Sequence, residues 1–137
     1  MPTDANTLES LEIFEELDSD EIAEIGSLFH SMRVNEGEVL ARRGETAHTF
    51  YIVLSGNYMI YSEGGKAFTL HDRGDMIGVA AAVTPFRYRG TTVALTDGEV
   101  LAMAGDKFLE LIQSNAVLGD KLMNKINAVI SQRSSFV

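Results

Sequence analysis

Two short stretches carry the residue types best suited to chemistry. Gly74-Asp75-Met76-Ile77-Gly78-Val79-Ala80-Ala81-Ala82 is followed, after a short gap, by Arg87-Tyr88-Arg89-Gly90-Thr91-Thr92-Val93. Small residues let main-chain N–H groups come close to a ligand, and the first turn of a helix favours an anion. Arginine adds a planar fork that grips phosphate oxygens in pairs. The pattern predicts a phosphate cradle in which Gly78, Val79, Ala80 and Ala81 give amides from one helical turn and Arg89 gives the charge. Arg87 lies two residues away on the same side of an extended segment and competes for that role. Thr91 and Thr92 offer hydroxyls, and the sequence leaves open which of them faces a ligand. Two plainer readings stand beside the cradle. Arg89 could pair with a carboxylate such as Asp75, and the alanines could simply pack under a loop.

Other chemistry finds little purchase. The chain has no cysteine, so it has no disulfide framework, thiolate metal site or thiol nucleophile. His30, read as helical, and the isolated His48 and His71 do not form the converging set that a metal site requires. No serine sits in a Gly-x-Ser-x-Gly elbow, and no pair of carboxylates is placed for acid–base work. The reading is therefore a non-enzyme with neither metal nor resident cofactor. A formal charge of −9 with no Lys/Arg block argues against nucleic-acid binding. The polar, acidic start Met-Pro-Thr-Asp does not resemble a signal peptide, and no apolar run approaches the ~20 residues of a membrane span. A cytoplasmic, membrane-free domain is expected.

The elements that must position the cradle follow from periodicity. Over residues 7–30 the apolar positions Leu8, Leu11, Phe14, Leu17, Ile22, Ile25, Leu28 and Phe29 keep helical spacing. Asp18 with Glu21 reads as a capping box opening a second short helix. From Met32 the texture changes to short runs of strand formers, among them 50–54, 58–61, 68–70, 92–95 and 100–103, separated by turn signals such as Ser55-Gly56-Asn57 and Asp97-Gly98. After Asp106 the helical period returns. The expectation is one mainly β domain over residues 1–137, a β-roll of jelly-roll type (a double-stranded β-helix) at 32–104. N-terminal helices at 1–31 and C-terminal helices at 105–137 flank it, with the cradle at 74–93. Leu118, Leu122, Ile126 and Val129 form an apolar seam on the last helix that either packs on its own domain or meets another subunit.

This order of elements resembles the cyclic-nucleotide-binding domain family. The resemblance rests on Gly37-Glu38-Val39-Leu40, Gly44-Glu45, the 51–56 strand and turn, Gly74-Asp75, and the spacing of Gly78 and Arg89 within the family's phosphate-binding cassette. That cassette runs Gly-Glu-Leu-Ala, a variable stretch, then Arg-x-Ala-Thr. The resemblance implies cyclic AMP or cyclic GMP, or a similar small anion, held between the 78–82 turn and Arg89. It also implies a regulatory module whose last helix dimerises or signals to a separate effector. Val79 stands where the family's glutamate accepts a bond from the ribose 2′-hydroxyl. Losing a hydrogen bond to a charged acceptor costs about 1.5–3 kcal/mol, roughly tenfold to 150-fold in affinity. Gly90 likewise lacks a hydroxyl that family members often carry. The alternative is a scaffold of the same fold that binds no nucleotide and works by protein–protein contact. Haem-sensing relatives use a histidine and sometimes an N-terminal proline, but Pro2 and His71 alone give that reading no support.

Overall fold

The computed structural model describes residues 5–62, 64–78, 87–88 and 90–133. Two four-stranded antiparallel sheets face each other, with helices at both ends of the chain packed on one of them. The chain opens with α1 (Ala5–Glu9), a 3-10 turn (Glu12–Phe14) and α2 (Ser19–Gly26). The expected capping box is present. The Glu21 amide donates to Asp18 Oδ1 at 2.8 Å, and the Asp18 amide donates to Glu21 Oε1 at 3.0 Å. Two otherwise unpaired donors of the first turn are thereby satisfied.

The strands are β1 (His30–Val34), β2 (Val39–Ala41), β3 (Thr49–Ser55), β4 (Tyr58–Ser62), β5 (Ala67–Leu70), β6 (Met76–Ile77), β7 (Gly90–Ala94) and β8 (Gly98–Ala104). One sheet has the order β1-β8-β3-β6 and the other β2-β7-β4-β5. The roll and its flanking helices are thus the expected fold. His30, placed on a helix from the spacing of its neighbours, instead begins β1, where it pairs with Ala102. β1 escaped detection because it is a sheet edge: its exposed His30, Ser31 and Arg33 give no apolar alternation. Beyond β8 come α3 (Gly105–Ser114) and α4 (Ala116–Arg133).

The period-2 pleat sends alternate residues of the first sheet into two different cores. Phe50, Ile52, Met76, Leu101 and Met103 face the helices, where they meet Ile22, Ile25, Phe108 and Leu118. Four aromatic rings run through this layer, Phe14–Phe29–Phe50–Phe108, with successive centroids 5.9, 6.2 and 5.9 Å apart. Val53, Ile77 and Val100 face inward and meet Leu40, Tyr58, Leu70 and Ala94 of the second sheet. That inner core is the inside of the roll.

The last helix is docked, not free. Leu118, Leu122 and Ile126 are fully buried among the N-terminal helices and the outer face of the first sheet. For these three the structure shows packing on their own domain, the plainer of the two readings. Val129's side chain lies outside the described ones. Polar contacts fasten the same helix. Lys121 Nζ donates to Glu21 Oε1 at 2.7 Å, Lys125 Nζ to Glu15 Oε1 at 2.6 Å, and Asn115 Nδ2 to Glu24 Oε1 at 2.8 Å.

This latch has a predictable pH range. The hydrogen bond from Lys121, with that from the Asp18 amide, holds the Glu21 carboxyl below its ordinary value of 4.5. The Glu21 hydrogen bond holds the Lys121 ammonium above its ordinary 10.5. A lowered carboxylate contributes stability above its unfolded pKa and loses it as pH falls through the folded value. A raised ammonium contributes below its unfolded pKa and loses it as pH rises through the folded value. The difference in urea midpoint between wild type and Lys121→Met should therefore stay constant from about pH 5 to about pH 9 and shrink in stronger acid. A difference that grows on acidification would contradict the latch.

Candidate ligand-binding site

The cassette's two ends meet at one corner of the roll. β6 ends at Ile77, and Gly78 follows with φ 76°, in the left-handed region. A Cβ built on Gly78 would stand 2.8 Å from the Thr49 carbonyl oxygen and 2.9 Å from Cε1 of Tyr88. The chain thus leaves the first sheet at Gly78 and returns at Tyr88 in direct contact with its departure point. Only glycine fits there, on grounds of both backbone angle and space.

The returning segment is held by main-chain pairing to the loop between β2 and β3. The Gly44 amide donates to the Tyr88 carbonyl at 2.9 Å, the Tyr88 amide to the Glu45 carbonyl at 3.0 Å, and Thr46 bridges Arg87. The Tyr88 hydroxyl donates to the Thr49 carbonyl at 2.9 Å and accepts from the Thr49 amide at 3.2 Å. Tyr88 thereby ties the cassette's exit to the first residue of β3. No local pattern marks this role, because a contact across 39 residues leaves no periodicity to detect.

The residues singled out from sequence fall into three groups. Gly78, Arg87, Thr91 and Thr92 are described. Val79, Ala80, Ala81 and Arg89 lie outside the described residues. Leu118, Leu122 and Ile126 belong to the docked helix. Arg87 is exposed, and its Nη1 donates to the Gly44 carbonyl at 2.6 Å, so its guanidinium braces the loop. The Asp75 carboxylate, the expected alternative partner for Arg89, accepts from the Asp72 amide at 3.1 Å within its own turn.

The two threonines of β7 face opposite sides of their sheet. Thr91 points away from the inner core and accepts from the Arg43 amide at 3.1 Å. Thr92, 2% exposed, lies on the inward face of β7, opposite Ile60 of β4 and Ala41 of β2. Gly90 shares that face one pleat nearer the corner. A Cβ there would come within 3.0 Å of both Ile60 Cγ2 and the Tyr61 carbonyl oxygen, so crowding accounts for the glycine that replaces a hydroxyl-bearing residue.

Two tyrosines add polarity to the inner core. Burial, and secondarily the neighbouring Tyr88, pushes the Tyr51 phenol above its ordinary range, partly offset by a hydrogen bond with Thr49. Burial also raises Tyr58, whose hydroxyl donates to the Ser55 carbonyl at 2.8 Å. Both phenols are neutral hydrogen-bonding groups at neutral pH. Among the described residues no group of three or more His, Asp or Glu is placed to hold a metal ion. No described helix is long and apolar enough to cross a membrane.

Comparison with known proteins agrees with this geometry. Residues 31–115 match the family described as the cyclic nucleotide-binding domain. An uncharacterized NTE family protein of Mycobacterium tuberculosis is 24% identical over 131 residues, 95% of this chain. The chain spans 22% of the length of that relative. A putative cyclic nucleotide-binding protein from Geobacter metallireducens superimposes with a TM-score of 0.86 at 20% identity, covering 96% of this chain and 98% of that one. The regulatory subunit of a cAMP-independent protein kinase A from Trypanosoma brucei superimposes with a TM-score of 0.75 at 18% identity, covering 94% of this chain and 44% of that one.

Proposed function

Because this chain belongs to the cyclic nucleotide-binding domain family, we propose that it is a regulatory module that senses a cyclic nucleotide at the Gly78–Tyr88 corner. One observation carries this reading: the cassette departs and returns at a single point too tight for any side chain on Gly78. The residues that follow Gly78 in the sequence are small, Val79 and three alanines, which lets main-chain amides come close to an anion. Arg89, directly after the fixed Tyr88, supplies the positive charge. In a chain of net charge −9, an anion requires such a local cation to be admitted.

Output in this reading runs through α4. Its Leu118, Leu122 and Ile126 share one buried cluster with Phe50, Ile52 and Met76 of the sheet whose strands β3 and β6 frame the corner. A ligand that shifts β6 or Thr49 changes the surface on which α4 is docked, and a homodimer partner or separate effector reads that change. The M. tuberculosis relative is much longer than this chain, which suits a module that acts on further segments. Nothing in the proposal requires nucleic acid or membrane, and its expected setting is the cytoplasm.

A second reading has its own support. Val79 cannot accept the bond that a ribose 2′-hydroxyl seeks, and the T. brucei neighbour is named as cAMP-independent. On that reading the roll is an interaction scaffold, or it holds an anion without a ribose. Calorimetric titration with cyclic AMP and with cyclic GMP separates the two. The sensor reading expects saturable binding of at least one nucleotide. Absence of heat with both, at millimolar ligand, leaves the scaffold.

A further inference from the structure

The second sheet has two unlike faces. Its inward residues Leu40, Tyr58, Leu70 and Ala94 close the roll, whereas no described helix packs on its outward face. The pleat and the registers Val39–Val93, Met59–Val93 and Tyr61–Thr91 gather Val39, Met59, Tyr61 and Val93 there, with Leu95 just beyond β7. Ala67, Thr69 and Thr91 take the remaining outward positions. None of these residues is charged, in a chain that is 23% charged with a net charge of −9. An antiparallel sheet with one face in water ordinarily alternates apolar-in with polar-out. Strand propensity explains the valines and the tyrosine, but not the missing Lys and Glu. Tyr61 and Leu95, 43% and 41% exposed, are two of the three exposed large apolar side chains among the described residues. A contiguous apolar patch of this kind marks a contact surface.

The charges at the two ends of this face say what covers it. At one end, after β2 and before β5, stand Arg43 and Lys66, both exposed and in no ion pair among the described residues. Arg42 beside them is paired with Glu45 at 3.9 Å. At the other end, before β2 and after β5, stand Glu36 and Asp72, the latter 3.6 Å from His71, with Asp97 following β7. Glu63 and Arg89, of opposite charge, lie outside the described residues. A twofold axis in the plane of the face and perpendicular to the strands lays each strand over the same strand of a second copy, reversed end to end. Arg43 then stands over the Glu36 end of the other copy, and Lys66 over the Asp72 end. Elsewhere a chain of this charge repels its own copy. We infer that this outward face is a homodimer interface, packed sheet on sheet in that antiparallel orientation. The contact is isologous and closes at two copies. Four strands about 4.8 Å apart with outward residues about 7 Å apart cover about 400 Å². That is half the ~800 Å² per partner of a standard interface, so the dimer is weak and reversible. The inference does not depend on the sensor reading, and it leaves α4 docked.

Sedimentation equilibrium of the chain from micromolar to millimolar concentration tests this, and should show a reversible monomer–dimer equilibrium. Leu95→Lys should weaken it at least about tenfold, because it places an ammonium in an apolar contact. Val117→Lys, at the exposed apolar residue of α4, should leave it unchanged. Lys66→Asp and Asp72→Lys should each weaken association by about 3- to 10-fold. The double variant should restore it, because exchanging the two charges re-creates the pair with its ends reversed. Urea midpoints of the variants at high dilution verify that each is folded. A monomer at every concentration overturns the inference, and so does a dimer that Leu95→Lys leaves intact or that the charge exchange fails to restore. A dimer broken by Val117→Lys is built on α4 and overturns it too. Failure of the chain to bind either cyclic nucleotide would leave it standing.

Discussion

Gly78→Ala should lower the stability of the ligand-free protein by about 2–4 kcal/mol, whereas Gly44→Ala should cost only about 1 kcal/mol. The two glycines make a matched pair because their backbones are alike, with φ 76° at Gly78 and 87° at Gly44. The left-handed conformation penalises a side chain equally at both. Their surroundings differ. A Cβ at Gly44 meets nothing within 4 Å, whereas at Gly78 it would press on the Thr49 carbonyl and the Tyr88 ring. The Thr49 carbonyl belongs to the sheet and cannot swing aside. Tyr88 can retreat only by giving up both of its hydrogen bonds to the Thr49 backbone. The extra cost at Gly78 is that of prising open the corner, so nucleotide affinity should fall in the same variant and survive in Gly44→Ala. Urea midpoints for the pair, with titrations alongside, measure this. Equal losses at the two positions would mean that the corner is not closed as described.

Much of the architecture was open to reading in the sequence, for local reasons. The Asp18–Glu21 box is written in four consecutive residues and forms as expected. The strands around Phe50, Tyr58 and Val100 carry apolar runs bounded by glycine turns. β1 and β6 were not legible: one is an edge strand with a polar face, the other is two residues long and has no period to detect. The docking of α4 shows another kind of limit. Spacing identifies an apolar stripe, but not whether the stripe meets its own domain or another. That depends on Glu15, Glu21 and Glu24, about a hundred residues earlier in the chain.

At the corner the same division holds. Gly78 was legible as a small residue opening the cassette; that its φ of 76° and the nearby Thr49 carbonyl leave no room for a side chain is seen only in the fold. Tyr88, lying between the two arginines, carries no local signal because its partner Thr49 is 39 residues away. Arg87 and Arg89 look equivalent as residue types, and only the Gly44 carbonyl distinguishes Arg87 as a brace. Thr91 and Thr92 are neighbours of one type that the pleat sends to opposite faces. Their roles separate once the register with β4 is known.

Arg89 is where the largest effect on binding is expected. A guanidinium paired with a phosphate makes charge-assisted bonds of about 1.5–3 kcal/mol net, so Arg89→Ala should weaken nucleotide binding roughly tenfold to 150-fold. Arg87→Ala, which removes a brace, should change affinity far less. The most direct measurement is therefore calorimetric titration of wild type, Arg89→Ala and Arg87→Ala with the same cyclic nucleotide. The account predicts saturable binding by wild type, nearly abolished in the Arg89 variant and largely retained in the Arg87 variant. Equal affinity in wild type and the Arg89 variant would contradict it, because the ligand would then be held somewhere other than this corner.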